Sequence, residues 1–124
     1  MKITRTFTFA AAHHLTDYHG ACERPHGHTY RFTVSVEGPV KSDGLVVDFV
    51  ELKRVVQEKG LAHVDHTDLN DLLPNPSAEL ITQWMWKQLA DIGTLTQTNV
   101  RLLQIELWEG ETTSVILTDE DARD

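Results

Sequence analysis

The chain has 124 residues, 40% of them hydrophobic and 24% charged, which suits one ordinary soluble domain with a modest core. Its formal net charge of −8 argues against a nucleic-acid partner, because phosphate backbones are held by concentrated Lys and Arg, although a few local cations and a metal would still hold a small phosphorylated molecule. No apolar run approaches the roughly 18 residues that span a bilayer, and the opening Met1-Lys2-Ile3-Thr4 lacks a signal-peptide run, so no membrane partner is expected. The single cysteine, Cys22, cannot close an intrachain disulfide, which points to a reducing, cytoplasmic setting.

In chain order, residues 2 to 13 alternate, with Ile3, Phe7, Phe9, Ala11 and His13 on one parity, and this predicts a strand with one buried face. A polar loop over 14 to 27 follows. The next strand places His28, Tyr30, Phe32, Val34 and Val36 on one face and Arg31, Thr33, Ser35 and Glu37 on the other. Gly38-Pro39 ends it, and Lys41-Ser42-Asp43-Gly44 reads as a turn. Asp48 with Glu51 three residues on has the form of a capping box, followed by the helical stripe Phe49, Leu52, Val55, Val56 and a stop at Lys59-Gly60.

A loop is expected over 61 to 75. A second helix should start around Pro76 and carry Leu80, Ile81, Trp84, Met85, Leu89 and Ile92, with Trp84 in the core. Residues 100 to 109 alternate again, with Leu103, Ile105, Leu107 and Glu109 on one parity, and 112 to 118 make a last short strand. The order ββααββ implies an α+β fold, an antiparallel four-stranded sheet with two helices on one face. Such a sheet has open edges, and pairing them between copies would protect them.

The candidate chemistry is concentrated early. Of seven histidines, His13, His14, His19, His26 and His28 fall within sixteen positions. His26 and His28 are two apart at a strand start, so both imidazoles leave one face, and His13 ends the preceding strand on its apolar parity. Three neutral imidazoles with a fourth position open is a catalytic zinc arrangement. The spacing equally fits a polar hairpin tip with His13 as a core histidine. Cys22 would be a small buried hydrophobe in the absence of a metal, and a thiolate base or nucleophile beside one.

Asp65 and His66 can form a carboxylate–imidazole dyad if the backbone turns, although Asp, Thr and Asn in 63 to 70 also suit a capped surface turn. Glu109 continues an apolar face, where a carboxylate is costly unless paired, and it is a candidate anchor for the paired N–H donors of an amidine-like base edge.

These pieces together resemble a known family. Ala11-Ala12-His13, Cys22-x-x-x-His26-Gly27-His28, Gly44-x-x-x-Asp48-Phe49, Val64-Asp65-His66-x-x-Leu69-Asn70 and Asn75-Pro76-Ser77-x-Glu79 occur in the order seen in the 6-pyruvoyltetrahydropterin synthase / 6-carboxytetrahydropterin synthase family, across about residues 3 to 115. The resemblance implies the tunnelling (T-) fold over 1 to 118, with 119 to 124 as an acidic tail that is expected to be disordered. It implies subunits whose sheets pair into barrels, as a homo-hexamer (a dimer of trimers). It further implies zinc on His13, His26 and His28, a catalytic base at Cys22, its proton partner in the pair Asp65 and His66, and a pterin grip at Glu109.

The implied reaction is lysis of 7,8-dihydroneopterin triphosphate, a small-molecule pterin. Three residues between Cys22 and the H-G-H resemble the bacterial branch that forms 6-carboxy-5,6,7,8-tetrahydropterin for 7-deazapurine (queuosine) synthesis. Glu23 also satisfies the E-x-x-H-G-H pattern of a folate branch that forms 6-hydroxymethyl-dihydropterin, so the chain resembles a subgroup with both motifs. A 6-pyruvoyltetrahydropterin synthase-like lyase, and a non-catalytic zinc-containing T-fold protein that binds pterin or purine, are the alternatives. Two departures bear on the site. His14 stands where arginine is frequent, and Gly110 where threonine is usual, which leaves Glu111 as a rival to Glu109.

Overall fold

A computed structural model describes residues 1–16, 20 and 24–123. The two long strands β1 (Lys2–His13) and β2 (His26–Glu37) pair antiparallel along their whole length, from Lys2↔Glu37 to His13↔His26. The same-parity side chains read from the sequence form the core: Phe7 stacks on Phe32 at 5.3 Å, and Phe9 on Tyr30 at 4.7 Å between ring centroids. Burying four large aromatic rings in one layer supplies much of the apolar area that stabilises a domain of this size.

Helix α1 (Phe49–Val56) starts as expected at Asp48, whose carboxylate accepts the Val50 N–H at 2.8 Å. Glu51 does not complete the box. Arg54, one turn on, offers its Nε and Nη2 to Glu51 at 3.0 and 2.9 Å and draws the carboxylate away. Nor does the helix stop at Gly60. It runs through a π-helical turn, Gln57–Leu61, into α2 (Ala62–Val64). Gly60 serves close packing here: a Cβ on it would lie 2.6 Å from the Met85 sulfur of the next helix.

The segment expected to be a loop contains β3 (Thr67–Asp68), which pairs parallel with β1 through Ala11↔Thr67 and Ala12↔Asp68, and a 3₁₀ turn at Leu69–Asp71. The sheet is therefore five-stranded and mixed, in the order β3-β1-β2-β4-β5, where β4 is Arg101–Glu109 and β5 is Thr113–Thr118. Two residues of β3 were too short to show in an alternation pattern.

Helix α3 (Ala78–Leu89) is capped by Ser77, which accepts the Leu80 N–H, so Pro76 lies before the cap and not at the first helical position. Ile92 belongs to a separate helix, α4 (Ile92–Thr96). Trp84 is half-buried against the core. On β4 the core parity slips. A register shift opposite Ser35 and Val36 makes Leu103 the extra residue of a bulge and turns Leu102 inward in its place, while Ile105 and Leu107 hold their expected positions.

Residues expected to trail as an acidic tail instead form α5 (Asp119–Ala122). Thr118 and Asp121 make a reciprocal capping box, the acidic first turn suits the helix dipole, and Asp119 pairs with Arg101.

At its ends the sheet leaves backbone groups of β5 along one side, and of most of β1 beyond the short β3 on the other, without a partner strand among the described residues. No helix among the described residues is long and apolar enough to cross a membrane.

Candidate metal centre and active site

The ends of β1 and β2 bring three imidazoles together. Pairing of His13 with His26 across the hairpin, and the two-residue spacing to His28, put one ligand atom of each within 4.8 Å of the others. His13 is 1% exposed, and His26 and His28 are partly buried. The ring centroids are 4.6 Å apart for His13–His26 and for His26–His28, and 5.1 Å for His13–His28.

The hydrogen bonds fix what these rings present. His13 Nδ1 lies 2.7 Å from the Pro76 carbonyl oxygen, and His26 Nδ1 lies 2.7 Å from that of Arg24. A carbonyl only accepts, so each Nδ1 carries the proton, and in the neutral ring each Nε2 carries a lone pair. Those two Nε2 atoms are 3.0 Å apart. Two acceptors aimed at one another repel unless a cation lies between them.

His28 Nε2 is buried and has no hydrogen-bond partner. Burial, aided by its two histidine neighbours and opposed by Glu109, holds its pKa below the usual imidazole value and favours the neutral, ligating form. The donor set thus fits a metal ion. Tetrahedral zinc with Zn–N near 2.0–2.1 Å sets its nitrogens about 3.3 Å apart, close to the 3.0 Å between His13 and His26.

Glu109 comes to the same place from β4. It sits opposite Tyr30 in the ladder, and its Oε1 is 3.3 Å from His28 Nε2. Glu111 goes elsewhere: it lines a separate depression with Thr8, Thr29, Arg31 and Gly110. Tyr30 is fully buried with its hydroxyl unpartnered, and burial together with the Glu109 charge pushes that phenol well above its ordinary pKa.

The Asp65–His66 pair forms because the backbone turns sharply at His66, which has φ of +58°. A non-glycine residue there costs of order 1–3 kcal/mol and needs support from its surroundings. The support comes from the β1 edge: His66 N–H donates to Ala10 O at 2.6 Å, and Asp65 Oδ1 accepts the Ala10 N–H at 3.1 Å. The same Oδ1 is 3.0 Å from His66 Nδ1, a contact that favours a proton on that nitrogen. His66 is 83% exposed, and with His28 it lines an open depression of about 530 Å³ whose floor includes Ala10, Ala12, Gly27 and Thr29. Cys22 and Glu23 lie outside the described residues.

Four supporting groups were not anticipated as parts of the site. The carbonyls of Pro76 and Arg24 carry no side-chain signal, because any residue type offers a C=O. Asn70 and Asn75, which bond the backbone of residues 14 and 16, stand in turn-rich segments where asparagine is ordinary.

Comparison with known proteins gives the family and the fold. The sequence profile of 6-pyruvoyl tetrahydropterin synthase matches residues 2–120. A 6-carboxy-5,6,7,8-tetrahydropterin synthase of Synechocystis sp. is 34% identical over 109 residues, covering 82% of this chain and 84% of that one. A dihydroneopterin monophosphate aldolase of Pyrococcus furiosus is 39% identical over 88 residues, covering 71% and 73%. Among solved structures, the 6-pyruvoyl tetrahydropterin synthase of Caenorhabditis elegans superimposes with a TM-score of 0.81 at 22% identity, over 95% of this chain and 94% of that one, which shows the T-fold. By its sequence across nearly its whole length, and with a fold to match, this chain belongs to the 6-pyruvoyl tetrahydropterin synthase family.

Proposed function

We propose that the protein is a zinc-dependent lyase that acts on 7,8-dihydroneopterin triphosphate and forms 6-carboxy-5,6,7,8-tetrahydropterin, the reaction that serves 7-deazapurine synthesis. The observation that carries the reading is the pair of facing Nε2 lone pairs on His13 and His26, with the orphaned Nε2 of His28 beside them. When bound there, zinc supplies Lewis-acid polarisation of the substrate's side-chain oxygens.

The chain's own groups do the rest. Cys22 Sγ removes a proton from the side-chain carbon next to the polarised oxygen. His66 Nε2, held in its tautomer by Asp65, exchanges that proton as the reaction proceeds. Glu109 turns from His28 to accept the paired N–H groups of the pterin edge, so substrate binding frees the imidazole that Glu109 contacts at 3.3 Å. The exposure of His66 leaves its Nε2 open to a substrate seated in the depression it shares with His28.

A second reading is favoured by the adjacent acid. Glu23 in place of Cys22 as base would lead to 6-hydroxymethyl-dihydropterin, and the Pyrococcus furiosus relative is named as an aldolase of a dihydroneopterin phosphate. In either reading the three-carbon side chain breaks between its first and second carbons, leaving one carbon on the ring and releasing the other two with the phosphate groups. The open edges of β1 and β5 support assembly through strand pairing, which we read as a homo-hexamer of paired barrels in the cytoplasm.

Purified protein should carry about one zinc per chain, and incubation with dihydroneopterin triphosphate should give a product with the mass of 6-carboxytetrahydropterin. Chelation should abolish turnover and added zinc restore it. Absence of any pterin product from zinc-loaded protein would refute the enzyme reading and leave a pterin- or purine-binding role.

Cys22→Ala should lower kcat for the carboxy product by about 10²–10⁴ while sparing the hydroxymethyl product, and Glu23→Ala should do the reverse. Loss of the same product in both variants would rule out a division of labour. Sedimentation velocity should give six chain masses, and a stable monomer at micromolar concentration would contradict the assembly.

A further inference from the structure

The segment that follows the first histidine is held in an unusual way. At His13 the chain leaves β1, and β3 has already ended its pairing at Asp68 opposite Ala12. The next backbone rung would be unsatisfied, and a side chain supplies it. Asn70 Oδ1 accepts the His14 N–H at 2.9 Å, and Asn70 Nδ2 donates to His14 O at 3.1 Å. A primary amide bears the same donor and acceptor as a peptide group, so Asn70 extends the ladder by one residue without extending the strand.

Two residues on, Asn75 Oδ1 accepts the Thr16 N–H at 3.0 Å. Next to Asn75, Pro76 O accepts from His13 Nδ1. The stretch from 70 to 76 therefore grips residues 13, 14 and 16 at four points. Asn70 is itself fixed, because its own N–H donates to Asp68 Oδ1 at 3.0 Å and Leu69 beside it is fully buried.

We propose that Asn70, assisted by Asn75, is a positioning residue for the metal centre. It holds the backbone next to His13 so that the imidazole is aimed by the Pro76 carbonyl toward His26 and cannot rotate out with a fraying strand end. The proposal rests on the reading of the three histidines as a zinc site. Its physical ground is that a ligand ring is set by its second nitrogen's partner and by its Cα position together. Pro76 O governs the first and Asn70 the second. A leucine or alanine at 70 would leave the His14 N–H and C=O to water and free the Cα of His13 to drift.

The test compares zinc affinity, measured by competition with a chromophoric chelator, in the wild type, Asn70→Ala, Asn70→Asp and Asn75→Ala. The visible spectrum of the cobalt-substituted proteins is recorded alongside. Asn70→Ala should bind zinc about tenfold more weakly and show altered cobalt bands. Asn70→Asp keeps the acceptor for His14 N–H but sets a carboxylate oxygen against His14 O, so it should weaken zinc binding as well. Asn75→Ala keeps both His14 bonds, so it should lose less than Asn70→Ala.

Thr82→Val, which removes a buried helix hydrogen bond to Ala78 O, is the control for general destabilisation and should leave affinity and spectrum unchanged. If Asn70→Ala does not fold, Asn70→Asp and Asn75→Ala decide the matter. Wild-type affinity and spectrum in every folded asparagine variant would overturn the clamp while leaving the zinc reading intact. A wild type that binds no zinc would overturn both.

Discussion

The structure turns on one electrostatic constraint: two imidazole lone pairs, on His13 and His26, face each other at 3.0 Å because both partner nitrogens are already committed to carbonyls. Either carbonyl bond alone would leave the other ring free to choose its tautomer. Together they remove the choice, and a nearly fully buried ring such as His13 cannot turn to water for relief. The third ring, His28, adds an orphaned nitrogen that burial keeps neutral. A site of this kind is preorganised for a cation, since its cost in repulsion is met during folding and removed when the ion binds.

The fold serves that constraint by bringing distant segments to one end of the sheet. The full-length β1–β2 ladder sets His13 opposite His26, and the stacked aromatic layer of Phe7, Phe9, Tyr30 and Phe32 opposes a one-residue slip, which would turn that apolar face outward. From β4 comes Glu109, and the connection between the helices supplies Pro76, Asn70 and the Asp65–His66 pair. That connection looks irregular, yet it is tied to β1 at Ala10, Ala11 and Ala12 and to the segment after it at His14 and Thr16. The positive φ at His66 is held inside this tie, so the strained residue is the one that presents its ring to the shared depression.

Much of this was legible in the sequence, and the limits have physical causes. Alternation over Ile3 to His13 and His28 to Val36 identified both long strands and the shared face of the histidines, because the period of a strand is local. Helices α1 and α3 were found by stripes in which Phe49 and Leu80 prove exposed, and of their ends only the Asp48 start was read correctly. Gly60 reads as a stop on propensity, whereas its role is to admit Met85, a contact made only in three dimensions. Leu103 read as core because a bulge cannot be seen in a period-two pattern, and two residues of β3 cannot form a pattern at all.

Within the site, His13, His26 and His28 lie together and Glu109 reaches His28, as spacing and parity allowed, while the adjacent Asp65 and His66 contact each other and His66 shares a depression with His28. The groups that aim them are carbonyls and amides; Asn70, Asn75 and Pro76 stood in the motifs, but their residue types are common in turns and their aiming role could not be read from them.

Charge follows the same division of labour. The chain carries a net charge of −8, yet the site end gathers imidazoles, with Asp65 and Glu109 each lying within 3.3 Å of a ring nitrogen. At the other end Arg101 joins Glu37 and Asp119 and secures the last helix. Whether the three imidazoles alone hold the ion is the hinge of the account, because it leaves Cys22 free as a base. X-ray absorption at the zinc edge of the purified protein measures this directly. The account predicts three imidazole nitrogens near 2.0–2.1 Å and one further light atom, whereas a sulfur scatterer near 2.3 Å would make Cys22 a ligand and contradict it.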